Sequence, residues 1–348
     1  MGAIYEALGK VETNRTIIPE NCLSFFEESL HVTAFMEDET NKMFEEIGIN
    51  ELAVFESTGS LIVYEGANLE TLKKTVCDVC ENIMSVIKAA FEKIMHYFDE
   101  KMKENNKQKF KAVFDNRDAI LEKLGADFTF TDISVVKTSW SNRSNEIQQI
   151  FQSIIKDFND IKTSYTDRTE LTSAAKEKLD EYSVVNILGK LTYVEVNDKS
   201  SRTTIANEFI NEKLMAKYEN FTVAQVKSYW GKITNATTKT EIKDKIKGLY
   251  KEQKKLVESS IKGYTPKTDE DTIVFSYKFK AGKNLMVAVN AYTSMLMDAM
   301  KMEYMSYLKI LNRMLQAVPN TAAKQEPATE AANESVSQID LVDQMFNW

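Results

Sequence analysis

The stretch LETLKKTVCDVCENIMSVIKAAFEKIMHYFDEKM, residues 69–102, carries one apolar stripe at helical spacing: Leu72, Val76, Val79, Ile83, Val86, Ala90, Ile94 and Phe98. Steps of three and four residues put these side chains on one face of a helix, while Lys, Glu and Asp fill the other. No proline occurs between Pro19 and Pro266, so the pattern predicts a helix continuing past 102 towards Gly125. At about 1.5 Å per residue such a rod is roughly 85 Å long. A rod of that length predicts a spine or a hairpin arm and points to assembly more than to catalysis.

Around this stretch the punctuation is sparse. Eleven glycines and four prolines in 348 residues argue for long uninterrupted helices, because both residues end or kink them. Pro19 suits the first turn of a helix over 20–47, with Phe25, Val32, Met36, Met43 and Ile47 on one side and Gly48 at its end. Residues 60–65 (SLIVYE) read as a strand between Gly59 and Gly66, and Asn68 as the N-cap of the long helix. Phe128, Phe130, Ile133 and Val135 alternate as a strand that slips phase once. Helices are predicted over 145–161, 170–188, 204–218 and 222–234, with a strand at 191–196 (LTYVEV) and a polar break at 198–202.

An amphipathic helix over 239–262 presents Lys243, Lys247, Lys251, Lys254 and Lys255 beside an apolar face, with Tyr250 as the one aromatic interleaved on the basic side. Gly263 and Pro266 close it. Residues 272–279 are strand-like, and a Met-rich helix is expected over 283–318. The chain thus divides into an acidic helical region with one strand (1–66), the long helix (67–125), an α+β region (126–198), and a helical region with the lysine-rich helix (199–263). A strand plus Met-rich helix (264–318), a disordered linker (319–337) and a terminal peptide (338–348) complete it. The fold class expected is mainly α with a small β-sheet, α+β.

Charge is unevenly spread around a net of −8: residues 1–67 hold thirteen acids against three bases, and residues 206–262 hold twelve lysines against seven acids. Such a chain can dock head to tail with copies of itself or turn one end to a polyanion; solvated helix faces are the plain alternative. Cys22, Cys77 and Cys80 are too few for a disulfide framework, so a reducing compartment is expected. The first fifteen residues do not read as a secretory signal, and Glu6 stands where a myristoylation site has Ser or Thr. Residues 284–297 form the longest uncharged helical run, too short and too polar to cross a bilayer.

Reactive motifs are thin. Cys77-Asp-Val-Cys80 lies inside a helix, where packed core cysteine is the first reading; zinc would need two further ligands from Cys22, His31, His96 or acids. His31 and His96 sit in no HExxH and beside no recognisable nucleophile, and there is no glycine-rich phosphate loop. No catalytic residue, metal or cofactor is assigned. The lysine face could meet nucleic-acid phosphates, sequence-blind and salt-dependent. Met286, Met295, Met297, Met300, Met302, Met305 and Met314 read as core or as an adaptable contact surface. Residues 338–348 (QIDLVDQMFNW) bring apolar side chains back after a polar stretch: Ile339, Leu341, Val342, Met345, Phe346 and Trp348. A tethered motif of this kind binds a partner groove, or else folds back on its own body.

The stretch SLIVYEGANLETLKKTVCDVCENIMSVIKAAFEKIMHYFDEK (60–101), a short strand followed by a long aromatic-bearing helix, resembles helical virion proteins of large tailed bacteriophages. So does the arrangement of polar break, paired helices and lysine-rich helix over 200–262. The resemblance implies a non-enzymatic internal head or capsid-associated protein, made in the host cytoplasm and located in the virion. Its implied partners are copies of itself or capsid and portal proteins, with packaged DNA as an alternative partner. A third reading, a membrane-active protein delivered into the host, would use the Met-rich helix. The resemblance brings no catalytic residues with it.

Overall fold

The helix that organises this protein lies near its C-terminal end, not at 69–125. In the computed structural model a 45-residue helix, Thr272–Gln316, runs about 68 Å at 1.5 Å per residue. Every residue from 285 to 302 is buried. A helix buried around its whole circumference must be wrapped on all sides, and neighbouring elements do so. The described residues are 108–137, 143–236 and 272–318, together with 25, 26, 29, 30, 34, 38, 74, 77, 78, 81, 82, 85, 87–89, 91–96, 244, 247, 248, 250, 251, 254 and 255.

In chain order the elements are α1 (Lys111–Asp115), α2 (Arg117–Leu124), β1 (Thr129–Phe130), β2 (Ile133–Val136), α3 (Ser144–Ser164), α4 (Arg168–Glu181), α5 (Val184–Thr192) and α6 (Arg202–Glu208). A π-helical turn (Phe209–Leu214) follows, then β3 (Met215–Tyr218), β4 (Phe221–Thr222), α7 (Val223–Ala236) and the long helix α8 (Thr272–Gln316). The protein is mainly helical with small two-stranded antiparallel sheets, as the punctuation predicts. β1 pairs with β4 and β2 with β3, in registers Phe130↔Phe221 and Val135↔Ala216. Together they make one interrupted ribbon. The phase slip read in 128–136 is the turn between β1 and β2, where Asp132 takes a left-handed φ of 51°.

α8 packs against α3, α5, α4 and β2. Two apolar clusters form around it. The first collects Phe151, Ile154 and Phe158 of α3, Ile187, Leu188 and Leu191 of α5, Ile205, Phe209 and Ile210, and the stretch of α8 from Val274 to Tyr304. The second collects Phe110, Val113, Ile120, Leu121, the strands, Val226 and Ile233 of α7, and Tyr307 to Met314 of α8. The methionines therefore read as core: Met286, Met295, Met297, Met300, Met302 and Met314 are all buried.

Backbone polar groups at the ribbon edge are closed by α8. The Ser134 N–H donates to Ser306 Oγ (2.9 Å) and the Val136 N–H to Glu303 Oε1 (3.0 Å). One face of β2 thus bonds β3 and its free edge bonds helix side chains, which removes an edge that could template aggregation. Near the middle of α8, buried Asp298 accepts the backbone N–H groups of Phe25 (3.1 Å) and Phe26 (2.8 Å). It works as a helix cap supplied from a distant part of the sequence. Lys301 lies over the Phe25 ring at 5.6 Å.

Several sequence expectations are corrected. The helix through 69–102 does not run on to Gly125 as one rod. Phe110 (ψ 8°) and Asn116 (φ −120°, ψ 24°) leave helical geometry and split residues 111–124 into α1 and α2. Asn116 Nδ2 donates to Ala112 O (3.0 Å), closing the first helix end, and the break lets Val113, Ile120 and Leu121 all enter the second cluster. The strand expected at 272–279 is the first two turns of α8: Val274, Phe275 and Phe279 are buried there as part of a helix. The strand expected at 191–196 does not form: Leu191 and Thr192 end α5, Tyr193 stops it in left-handed geometry (φ 55°), and 194–196 leave it as irregular chain. The helix expected over 170–188 breaks at Tyr182, where Ser183 caps α5 by accepting from Asn186 N–H (3.3 Å). Residues 215–218, placed within a helix over 204–218, form β3 instead. The strand at 60–65, most of the 20–47 helix, Cys80, His31, the linker and residues 338–348 lie outside the described residues.

Candidate interaction surface

The lysine-rich segment is helical at its described positions. Lys247, Lys251, Lys254 and Lys255 are exposed; Lys243 lies outside the described residues. The spacings 247, 251, 254 and 255 put these cations on one side of a helix. Tyr250 does not join them. It is half-buried and packs on Phe91, with ring centroids 5.3 Å apart, so the aromatic expected among the lysines is the anchor holding this helix to the core. Phe91 lies in the helix of the quoted stretch, where Ile87 and Ile94 are also buried. What the described residues show outside is a row of exposed charges. Cys77 is half-buried and free, and His96 is exposed. Among the described residues no three His, Cys, Asp or Glu side chains gather as a metal site, and no helix is long and apolar enough to cross a membrane.

Two tyrosines sit in polar settings that sequence reasoning missed. Tyr307 donates to Glu303 Oε1 (2.9 Å), the carboxylate that also takes the Val136 N–H. Burial first, then the Glu303 charge, raises its pKa far above the ordinary phenol value. Tyr182 donates to Asp157 Oδ2 (2.8 Å) and is raised likewise, by burial and then by Asp157. Both stay protonated donors at neutral pH, which suits tying elements together and does not suit nucleophilic work. Tyr182 fastens the α4–α5 joint to α3.

A third cluster joins the start of α3 to the end of α5. Arg143 donates to Glu146 Oε1 (3.1 Å) and to the Tyr193 hydroxyl (2.7 Å). Burial works against its charge, but bonds to Glu146 and Tyr292 outweigh that and raise its pKa. Tyr193 is 58% exposed, unusual for so large a ring. Its left-handed backbone is the only signal of this cluster, and such geometry is not written in a sequence for a residue other than glycine.

The last surface feature is a recess of about 300 Å³ where α7 crosses the α1–α2 junction, lined by Phe114, Asn116, Arg117, Asp118 and Trp230 among others. The Arg117 guanidinium lies over the Trp230 ring at 5.6 Å, and Phe114 meets Trp230 edge-on at 6.1 Å. Arg117 also grips Asp118 with two hydrogen bonds of 2.8 Å. That pairing holds the exposed Asp118 carboxyl below its usual range.

No family profile, curated protein or solved structure matches this chain.

Proposed function

We propose that this protein is a non-enzymatic structural component of a tailed-bacteriophage particle, internal to the head or attached to the capsid. It works by helix-mediated assembly and by docking the peptide 338–348 on a capsid or portal partner. The observation that supports a building role is the threading of both apolar clusters by α8, which gives a body organised around a stiff rod. The placement in a virion rests on the resemblance of residues 60–101 and 200–262. Partner contact through Ile339, Leu341, Val342, Met345, Phe346 and Trp348 rests on their reappearance after the polar linker. Mass spectrometry of purified particles tests the first half: the chain should be present at a fixed copy number, and its absence ends the reading. Deleting 338–348 tests the second, since incorporation should fall steeply, and unchanged incorporation ends the docking role.

A second reading has its own observation, the exposed row Lys247, Lys251, Lys254 and Lys255. A protein packaged with DNA would use it on phosphates. Four contacts predict a binding constant falling with salt at a log–log slope of at most about −3.6. Retention on DNA-cellulose that ignores salt, or that survives charge reversal at these four positions, removes this alternative.

A further inference from the structure

Phe25, Phe26 and Ser29 form a compact plug on the side of α8. Both rings are buried, Ser29 Oγ donates to Phe26 O (2.6 Å), and half-buried Leu30 packs against the first cluster. The plug meets its seat through Asp298, one carboxyl oxygen taking the Phe25 N–H and the other the Phe26 N–H. Lys301 lies over the Phe25 ring at 5.6 Å. Met295, Met302 and Met305 stand three, four and seven positions from Asp298 and so share its face of α8.

Asp298 is fully buried, which makes the seat selective. If the plug leaves, both oxygens lose these donors in apolar surroundings, a costly loss for a carboxyl group. A replacement must bring two successive backbone N–H groups and rings for the methionines to close on. Thioether side chains adapt to such rings without fixing their exact position. The same segment of a second copy meets every one of these requirements with the bonds already present here. Its acidic surroundings, thirteen acids against three bases over residues 1–67, complement Lys301 at the seat. Plug and seat make the same contacts whichever molecule supplies the plug, so local concentration decides between closure within a chain and closure between chains.

We infer that in the assembled protein the plug of one copy closes on the Asp298 seat of a second copy, joining them by exchange of this segment. Resting on the proposed self-association, the exchange gives that association a defined junction.

For the test, the photo-crosslinking residue p-benzoylphenylalanine replaces Leu30 in the full chain. Unlabelled and isotope-labelled copies are mixed in equal amounts, irradiated and mapped by mass spectrometry. While the protein is dilute and monomeric, adducts should join position 30 to 291–305 of α8 within one isotope form. On association, followed by sedimentation, about half of those adducts should join labelled to unlabelled chains, as random exchange requires. Asp298→Asn should lower the mixed yield at least fivefold, with Lys247→Ala leaving it unchanged; an undiminished yield in Asp298→Asn removes Asp298 from the junction. Association in which adducts to α8 stay within one isotope form overturns the inference while leaving assembly through other contacts. Adducts that never reach α8 overturn the seat itself. A chain that stays monomeric at every concentration and is missing from purified particles overturns both the junction and the proposed assembly.

Discussion

Gly189 and Gly231 both sit inside helices and have opposite reasons to be there. A Cβ on Gly189 would run into Val196 Cγ2 and lie 3.0 Å from Val194 O, because the chain leaving α5 folds straight back over the helix. Gly189→Ala should therefore destabilise by about 1–3 kcal/mol, overpacking outweighing the better helix propensity of alanine. Around a Cβ on Gly231 nothing lies within 4 Å, so Gly231→Ala should stabilise by about 0.4–1 kcal/mol. Urea midpoints of the two variants, moving in opposite directions, check this pair. Asp298 offers a second residue-scale prediction. Asp298→Asn keeps one acceptor oxygen but turns an amide donor towards the other backbone N–H. It should cost about 1–3 kcal/mol, and it should speed hydrogen exchange at Phe25 and Phe26 before the rest of the core responds. None of this was legible in the sequence. In the sequence Asp298 is one charge in a methionine-rich helix, and its bonds to the Phe25 and Phe26 N–H groups join positions 272 or more residues apart.

Among the elements, amphipathic helices with solvent on one side were readable, and the two departures from that pattern were not. Residues 144–164 alternate Ile147, Phe151, Ile154 and Phe158 with charge, and α3 follows that stripe. α8 is buried at every position from 285 to 302, and its first turns, rich in Ile, Val, Phe and Tyr, carry no clear 3.6-residue period to distinguish helix from strand. The short strands failed for the converse reason. β3 and β4 span four and two residues, at most two strand periods, too few to stand out in a sequence; β3 pairs with β2 and β4 with β1, and the side chains of α8 close the outer edge of β2. Tyr307 belongs to that closure. Its pKa is raised in the folded chain, so the folded state holds the phenolic proton after the unfolded chain, near its ordinary pKa of about 10, has begun to lose it. Its contribution to stability is whole below pH about 10 and declines as pH rises beyond that. Tyr307→Phe should lose about 1 kcal/mol at neutral pH and show a shallower fall in denaturation midpoint above pH 10. An equal slope in both proteins would place the alkaline sensitivity elsewhere, with Tyr182 the next phenol to replace.

On the scale of the whole molecule, sequence reading found a rod and assigned it to the wrong helix. The described residues of 69–102 have one side facing water, while the middle of α8, from 285 to 302, is buried at every position and so shows no stripe. The two clusters on α8 meet near Met305: Tyr304 belongs to the first and Tyr307 to the second, while Leu308 touches both. A single stiff helix common to both makes unfolding of one cluster expose the flank of the other, which predicts one cooperative transition for the intact chain. Met305→Pro removes the N–H that would bond the Lys301 carbonyl and clashes with that carbonyl, costing about 3 kcal/mol or more in a helix interior. The damage falls between the clusters and not inside either. The expected result is loss of coupling: two separated urea transitions, with the second cluster followed by the near-ultraviolet signal of Trp230 and total helix by far-ultraviolet dichroism. Met305→Ala, which trims a half-buried side chain and leaves the helix whole, should keep a single transition at a slightly lower midpoint. A single transition in Met305→Pro, shifted but coincident by both probes, would mean that contacts between the flanking elements, and not the continuity of α8, join the two halves.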